Sequence, residues 1–269
     1  MKFIVSTALV ILCSGIVIML LLYLLQNKLI YPAPYVKLPG PAGDNIERIE
    51  IGQTYGYLIS PPTQTDVQFP LIIFTHGNGE LAEMWVKEFT YMVDSGYAVL
   101  LVEYPGYGSA GGKPNYNSIK QTMLMAYDIV IQLDHIDKDK VIAYGRSLGG
   151  AAASLLAQHK PIAALVLEST FSSLPNLVRE KGFPSFLVKD RYDNKAIVGN
   201  LDIPVFIYHG TRDEIIPYSH AETLFDAANK NIGPKNTDQN VQLMSANCGH
   251  NNCPRFWRAL KSFFNEHLT

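Results

Sequence analysis

The chain of 269 residues has few charges for its length and no long basic stretch. Charged residues make up 17% of it, and its formal net charge at pH 7 is −2. Nucleic-acid-binding domains need Lys and Arg clustered on one face, so no nucleic-acid partner is expected. Internal repeats and low-complexity segments are also absent, while 48% of the residues are hydrophobic. These features exclude a disordered or repetitive chain and predict one globular domain with a large core.

Cysteine is scarce too, with only Cys13, Cys248 and Cys253. The last two flank residues 249–252, and they could close a small disulfide loop in an oxidising compartment. Two unpaired thiols fit the sequence equally well. A metal site is a weaker third interpretation, because these two cysteines and His250 lack a fourth ligand. The sequence predicts no metal and leaves the pairing of the two cysteines open.

Charges are missing altogether from residues 3–25, an apolar run near the N-terminus. As a helix rising about 1.5 Å per residue, this run would be roughly 35 Å long, enough to cross the hydrocarbon core of a bilayer. A cleaved signal peptide is the competing interpretation. Its apolar region is usually only about 7–15 residues long and ends at a small-x-small site, which residues 21–28 do not offer. We therefore predict a transmembrane signal anchor over residues 1–26.

The orientation of this segment is weakly determined by its flanking charges. Lys2 lies on one side, and Lys28 and Lys37 lie on the other. A very short N-terminal tail favours a cytoplasmic N-terminus, with the rest of the chain outside. A disulfide in the C-terminal part would agree with that location. We predict a single-pass membrane protein whose globular part lies on the extracytoplasmic side.

The rest of the chain is predicted to form an α/β domain over residues 45–269, preceded by an extended linker, rich in Pro, Tyr and Gly, over residues 27–44. Apolar or alternating runs predict strands over 46–51, 55–60, 71–75, 98–102, 141–144, 163–167, 205–208 and 241–244. Helical periodicity covers 80–95, 116–133, 148–159, 218–229 and 254–267. Two leading strands followed by strand-helix alternation predict a mainly parallel sheet of about eight strands flanked by helices.

One serine stands where a predicted strand turns directly into a predicted helix. Ser147 is the centre of the sequence GRSLG (145–149), which follows an apolar strand and precedes three alanines. Small flanking residues let the strand and helix backbones approach closely, and the tight turn exposes the hydroxyl beside the first N–H groups of the helix. This arrangement is typical of a nucleophile elbow, although an ordinary structural turn can carry the same five residues.

A serine hydroxyl needs a histidine base, and that histidine needs a carboxylate to hold its tautomer. Asp213 and His250 each follow a predicted strand, and ligands of such sheets bind at the carboxyl ends of the strands. The order Ser147, Asp213, His250 is also that of the α/β-hydrolase triads. We predict these three as the catalytic residues. The main alternative acid is Glu168, and Glu214 and Asp202 are two others.

The reaction also needs backbone donors for an oxyanion. The N–H of Leu148, directly after the serine, is the first candidate. Asn78 supplies the second, because Gly77 and Gly79 allow the loop after the third strand to turn its backbone inward. The same glycines would also fit a plain tight turn. The predicted oxyanion donors are the N–H groups of Leu148 and Asn78.

Six motifs in register resemble the Bem46-like α/β-hydrolases. They are THGNG (75–79), YPGYGS (104–109), GRSLG (145–149), LES (167–169), HGTRDEIIP (209–217) and GHNN (249–252). The apolar N-terminus followed by LIYP (29–32) is similar to that family's arrangement as well. The resemblance implies a serine hydrolase without a cofactor, with Ser147 as nucleophile, Asp213 as orienting acid and His250 as base. Glu103 is a departure, since the family more often has Asp there.

Residues 171–205 connect the sixth predicted strand to the seventh, and we call this segment the insertion. It is short, so any lid over the site is small. Its apolar side chains suit either core packing or a surface that accepts an acyl chain; they are Phe171, Leu174, Leu177, Phe183, Phe186 and Leu187. The membrane segment brings lipid-linked substrates within reach, and the resembling family includes enzymes that remove palmitoyl groups from proteins. Three functions remain: a membrane-anchored carboxylesterase or acyl-thioesterase acting on a small-molecule or lipid-linked substrate, a serine peptidase or amidase, and a non-catalytic membrane-tethered binding domain.

Overall fold

The computed structural model describes residues 2–34, 36–62, 67–230 and 240–268; Met1, Tyr35 and Thr269, which belong to the predicted anchor, linker and domain, lie outside them. The strands are β1 (Ile46–Ile51), β2 (Thr54–Ile59), β3 (Phe69–Thr75), β4 (Ala98–Val102), β5 (Ile136–Arg146), β6 (Ala164–Glu168), β7 (Val205–Gly210) and β8 (Val241–Ala246). The helices are α1 (Lys2–Ile30), α2 (Thr90–Asp94), α3 (Tyr116–Val130), α4 (Leu148–His159), α5 (Leu174–Glu180), α6 (Asn194–Val198), α7 (Ser219–Asn229) and α8 (Trp257–His267). The prediction of about eight strands is confirmed.

All eight strands form one sheet in the order β1-β2-β4-β3-β5-β6-β7-β8. The β1–β2 and β2–β4 pairs are antiparallel, and the pairs from β4 onward are parallel. This confirms the predicted α/β fold with a mainly parallel sheet. The carboxyl ends of β3, β5, β7 and β8 therefore lie along one edge, where such sheets bind their ligands.

The side chains of the central strands alternate between two helix layers. Leu71 and Ile73 of β3 pack into a core shared with α3, α4 and α7, whereas Ile72 and Phe74 pack into a second core shared with α2 and α8. Both faces of the sheet are covered, which explains why its parallel strands are continuous apolar runs. The polar residues that follow these strands are thus held on a rigid support.

The helix predicted over residues 80–95 is interrupted. A 3₁₀ turn, Ala82–Trp85, precedes the five-residue helix α2. Trp85 and Phe89 are both buried against Phe74, with ring centroids 4.5 and 4.7 Å away, and the N–H of Ala82 donates to the Glu103 carboxylate at 3.0 Å. These tertiary contacts override the regular helical pattern that the sequence suggested.

Helix α1 continues to Ile30, four residues beyond the predicted end of the membrane segment. Its part Leu9–Ile30 is long and apolar enough for a membrane anchor or a signal sequence. The chain that follows has no regular secondary structure over residues 31–34 and 36–43, and it packs on the domain: Tyr31 is buried in the core, and Ala33 and Leu38 lie against it. The segment therefore attaches α1 to the domain and does not lead the domain away from it.

Candidate active site

Ser147 forms the turn between β5 and α4 in a strained conformation. Its φ is +54° and its ψ is −119°, a region that residues other than glycine rarely adopt. The turn is held by hydrogen bonds at both ends of the residue: the Ser147 N–H donates to the Glu168 carbonyl at 2.8 Å, and the Ser147 carbonyl accepts from the Thr170 hydroxyl at 2.6 Å. The surroundings thus keep a strained serine at the carboxyl end of the sheet.

The small residues around Ser147 are required by direct backbone packing. A Cβ on Gly145 would lie 2.0 Å from the carbonyl oxygen of Gly149, and a Cβ on Gly149 would lie 2.0 Å from that of Thr75. Any side chain at either position would separate α4 from β5 and β3. The motif therefore lets the helix begin directly at the strand end.

The structure brings the three predicted catalytic side chains together. The Nε2 of His250 lies 3.1 Å from the Oγ of Ser147, and its Nδ1 lies 2.7 Å from Oδ2 of Asp213. Asp213 follows β7 and His250 follows β8, as the sequence order predicted. Both ring nitrogens of His250 are engaged, one by the serine and the other by the carboxylate.

The Asp213 carboxylate is held in its charged form. Its Oδ1 accepts the N–H groups of Ile215 and Ile216 at 2.9 and 2.8 Å, and its Oδ2 also lies 3.2 Å from Nε2 of His209. Burial opposes ionisation, but the hydrogen bonds from His209, His250 and Ile216 outweigh it and hold the pKa of Asp213 well below its usual range. A charged Asp213 keeps the proton of His250 on Nδ1, so Nε2 can accept the proton of Ser147.

The main alternative acids occupy other positions. Glu168 at the end of β6 accepts the Tyr144 hydroxyl at 2.5 Å and pairs with Arg146 and Arg255 at 3.7 and 3.4 Å. Glu214 accepts the backbone N–H of His250 at 3.3 Å through its Oε2. Glu168 therefore binds Tyr144 and Arg146 beside the serine turn, and Glu214 holds the backbone of the histidine loop.

Both predicted oxyanion donors border the space above the serine. Leu148 is the first residue of α4, so its N–H has no acceptor within the helix. Asn78 lines the same cavity as Ser147 and Leu148. Its neighbour Gly77 lies so close that a Cβ there would be 3.2 Å from the Cβ of Ser147. The loop after β3 thus packs directly against the serine turn.

Arg146 is a central residue of the site that sequence reasoning missed. Its Nη2 donates to the His250 carbonyl and to the Asn251 side-chain oxygen, both at 2.8 Å, and its Nη1 pairs with Glu80. Arg146 thereby joins the turn of the serine to the loop of the histidine. Arg146 lies in a tight turn that must be buried between a strand and a helix. Because arginine is rarely buried without a partner, its presence there was the signal in the sequence for such a role.

The loop that carries His250 is closed by a disulfide between Cys248 and Cys253, whose Cα atoms are 5.0 Å apart. Of the interpretations that the sequence left open, the structure has the disulfide. Cys13 on α1 is exposed and unpaired. Across residues 2–34, 36–62, 67–230 and 240–268, no group of three or more His, Cys, Asp and Glu side chains is placed to hold a metal.

Two other histidines at strand ends have structural roles. The Nε2 of His76 lies 2.9 Å from Glu103 Oε1, and its Nδ1 lies 2.8 Å from the carbonyl of Gly77. Glu103, the departure from the resembling family, also accepts the N–H groups of Ala82 and Tyr104 at 3.0 and 2.7 Å. The longer carboxylate therefore anchors the loop after β3 beside the predicted oxyanion donor. His209, the second of these histidines, donates to Asp213 and to the carbonyl of Ile216.

Ser147 opens into a cavity of about 400 Å³, within the usual size range of small-molecule sites, roughly 300–1,000 Å³. Its walls are mainly apolar. The insertion contributes Leu177 and Leu187, while Leu174 both lines the cavity and packs into the core. The insertion therefore both packs into the core and lines the cavity. A wall from α1, which includes Leu22, was not predicted.

Sequence comparison places these features in a known family. Residues 70–199 match the α/β hydrolase fold. An uncharacterized protein of Mycobacterium tuberculosis is 30% identical over 212 residues, which cover 76% of this chain and 75% of that protein. The alpha/beta hydrolase domain-containing protein aho-3 of Caenorhabditis elegans is 27% identical over 164 residues, covering 61% of this chain and 49% of aho-3.

Solved structures agree on the fold. An esterase of Pyrococcus furiosus matches with a TM-score of 0.66 at 17% identity, over 87% of this chain and 98% of the esterase. The acylaminoacyl peptidase of Pyrococcus horikoshii matches with a TM-score of 0.66 at 13% identity, over 82% of this chain but only 41% of the peptidase. At such identities the likeness concerns the fold alone. With the sequence relationship that extends over three quarters of the chain, it follows that this protein belongs to the α/β-hydrolase fold family.

Proposed function

We propose that the protein is a membrane-anchored serine hydrolase of the Bem46-like group that cleaves carboxylic esters or thioesters. The observation that carries the proposal is the continuous chain of contacts from Ser147 through His250 to Asp213, at 3.1 and 2.7 Å. Such a chain is what a serine needs to become a nucleophile near neutral pH. A non-catalytic binding domain would have no use for a strained serine aligned with a base and a buried carboxylate.

In the proposed mechanism, Nε2 of His250 accepts the hydroxyl proton while Oγ of Ser147 attacks the carbonyl carbon of the substrate. The N–H groups of Leu148 and Asn78 bind the oxyanion, each contributing on the order of 3 kcal/mol in a site without water. His250 then gives the proton to the leaving alcohol or thiol, and an acyl-serine remains. Water, deprotonated by His250, then attacks the acyl carbon. The bond from that carbon to Oγ breaks, Oγ recovers the proton from His250, and the carboxylic acid leaves.

The character of the cavity favours an ester over a peptide. Extended peptides are bound largely through hydrogen bonds to their main chain. The walls beside Ser147 are instead mainly leucine and other apolar side chains, including Leu174 and Leu177. Such walls suit the hydrocarbon part of an acyl ester. A peptidase or amidase is therefore the second candidate, and the test below includes its substrate.

The proposed location is a membrane, with the hydrolase domain on its extracytoplasmic side. The apolar helix segment Leu9–Ile30 supports an anchor. The disulfide between Cys248 and Cys253 supports an oxidising compartment for the domain. The proposed partners are thus the bilayer itself and a small-molecule or lipid-linked ester or thioester.

The test is active-site labelling of the full-length protein in detergent with a fluorophosphonate, beside the variant Ser147→Ala. We expect labelling and hydrolysis of p-nitrophenyl acetate by the wild type, and loss of both by the variant, with kcat lower by a factor on the order of 10⁴ or more. Equal labelling of the two proteins would disprove the role of Ser147. Faster cleavage of aminoacyl p-nitroanilides than of the ester would favour the peptidase.

A further inference from the structure

We propose that the last turns of α1 form one wall of an acyl-chain pocket, and that the protein hydrolyses esters of a long, single acyl chain taken from the bilayer that holds α1. This inference rests on the serine-hydrolase function proposed above and names its substrate class. It also gives the N-terminal helix a second role, because the helix would recognise substrate as well as anchor the domain.

One face of α1 belongs to the cavity. Leu22, Gln26 and Ile30 all line it, as does Ser147. Residues four apart lie on the same side of a helix, so these three form one continuous stripe. Leu24 lies on the other side of the helix and is 60% exposed. The helix therefore has a face for the pocket and a separate face for lipid.

The position of α1 over the site is fixed by specific hydrogen bonds. The side-chain amide of Gln26 donates to the Leu187 carbonyl at 3.0 Å and accepts the Lys189 N–H at 2.8 Å. Just after the helix, the Tyr31 hydroxyl donates to Asp190 at 2.5 Å. A glutamine in an apolar span is costly unless both of its polar groups are bonded. Its partners show that the helix is fastened to the insertion at a defined place.

The shape and the lining of the cavity select the occupant. Its walls are mainly apolar, and Ser147 with its oxyanion donors lies among them. A cavity of about 400 Å³ is near the lower end of ligand sites, roughly 300–1,000 Å³, so it suits one unbranched chain better than a sterol or a two-chain lipid. An acyl chain can lie along the leucines while its carbonyl carbon meets the serine.

The same cavity adjoins the membrane. Leu22 and Ile30 belong to the C-terminal part of the apolar segment Leu9–Ile30. Exposed apolar side chains surround this end of the helix: Leu29 and Phe183, both of which line the cavity, and Phe186, which is 72% exposed. Phe and Leu side chains are common on surfaces that insert into the boundary between headgroups and acyl chains. An acyl chain can thus pass from the bilayer to the pocket without crossing water.

The test uses the full-length protein in lipid nanodiscs and compares kcat/KM for p-nitrophenyl laurate with that for p-nitrophenyl acetate. Leu22→Trp places a larger side chain in the proposed pocket. We expect it to lower the ratio of kcat/KM for laurate to kcat/KM for acetate at least tenfold. Leu24→Trp places the same side chain on the lipid face, and we expect it to leave both rates within twofold of the wild type. A third variant, Leu22→Ala, widens the wall and should shift the preference toward palmitate.

The outcomes separate this inference from the function on which it rests. If acetate is hydrolysed in a Ser147-dependent manner but the laurate-to-acetate ratio is the same in Leu22→Trp and Leu24→Trp, the acyl pocket is wrong and the hydrolase stands. If no ester is hydrolysed in a Ser147-dependent manner, the proposed function fails. In that case cross-linking of a photoreactive lauroyl probe decides the pocket: loss of cross-linking in Leu22→Trp alone supports it, and equal cross-linking in both variants overturns it.

Discussion

At the scale of single residues, two histidines in and beside the site face different pairs of oxygen neighbours. His250 faces a charged carboxylate with Nδ1 and a hydroxyl with Nε2, so one proton on Nδ1 satisfies both contacts. His76 faces the Glu103 carboxylate with one nitrogen and the Gly77 carbonyl with the other. Both of these oxygens are acceptors, so the contacts of His76 favour the imidazolium form. The first histidine faces the serine hydroxyl as a base must, whereas the second is engaged by acceptors on both nitrogens.

The His76 pair predicts a pH dependence of stability. Burial works against protonation of His76, but the neighbouring Glu103 carboxylate outweighs it and raises the pKa of His76. Because the folded-state pKa lies above the unfolded value of about 6.5, the stabilisation is complete below that pH and is lost as the pH rises through the folded-state pKa. We expect the free energy of unfolding of the wild type to approach that of His76→Gln as the pH rises above about 6.5. Urea unfolding at several pH values measures it, and a difference that does not change with pH would contradict the charged pair.

Arg146 predicts a kinetic effect without direct contact with substrate. Arg146→Met removes the donors to the His250 carbonyl and to Asn251, so the base is displaced from Ser147. A misplacement of about 1 Å costs on the order of 100-fold in rate, so we expect kcat to fall about 10- to 100-fold while KM changes little. Arg146→Lys keeps the charge but not the two-pronged geometry and should recover only part of kcat. Steady-state ester kinetics measure this; a rise in KM at unchanged kcat would show that Arg146 does not position the base.

At the scale of elements, a strand or helix could be predicted where the residue pattern of the segment itself reflects which of its faces are buried. The central strands are buried on both faces, so their apolar runs identify them, and Asp213 and His250 could be found because each follows such a strand. Contacts between distant segments could not be found in this way. Arg146 meets Glu80 and His250 across 66 and 104 residues, and Gln26 meets the insertion across more than 160. The residue pattern within one segment does not show which distant residue it will contact. The role of Arg146 and the docking of α1 could therefore be found only in the structure.

The disulfide loop supplies the prediction at this scale. Closing so short a loop lowers the entropy of the unfolded chain enough to stabilise the fold by about 2 kcal/mol. We expect the double variant Cys248→Ser, Cys253→Ser to lose about this much unfolding free energy and to lower kcat several-fold, because the loop holds His250. Cys13→Ser, at the exposed free cysteine, is the matched control. Chemical unfolding and ester turnover in detergent provide both numbers, and a double variant that matches Cys13→Ser in both would exclude a role for the disulfide.

At the scale of the whole molecule, the N-terminal helix and the hydrolase domain form one body. Tyr31 is part of the main core. The side-chain amide of Gln26 is hydrogen-bonded to the insertion through both its nitrogen and its oxygen. A domain on a flexible tether would turn freely above the bilayer, whereas a docked helix fixes which side of the domain faces the lipid. The α/β-hydrolase fold supports many chemistries. In this chain the docked helix holds the cavity beside Ser147 at a defined place relative to α1.

Gln26 tests whether this docking is needed for function. Gln26→Leu retains the apolar character of the helix but leaves the Leu187 carbonyl and the Lys189 N–H without their partner. Because both groups are only partly buried, we expect a cost of about 1 kcal/mol for each. Helix and insertion should then separate more often, so we expect faster hydrogen exchange in residues 185–192 and a loss of laurate hydrolysis in nanodiscs that exceeds the loss of acetate hydrolysis. Asn27→Leu changes the neighbouring, exposed position and serves as the control. Hydrogen exchange becomes faster as the free energy of local opening falls. Exchange in the insertion of Gln26→Leu no faster than in that of Asn27→Leu would therefore mean that the helix is only a tether.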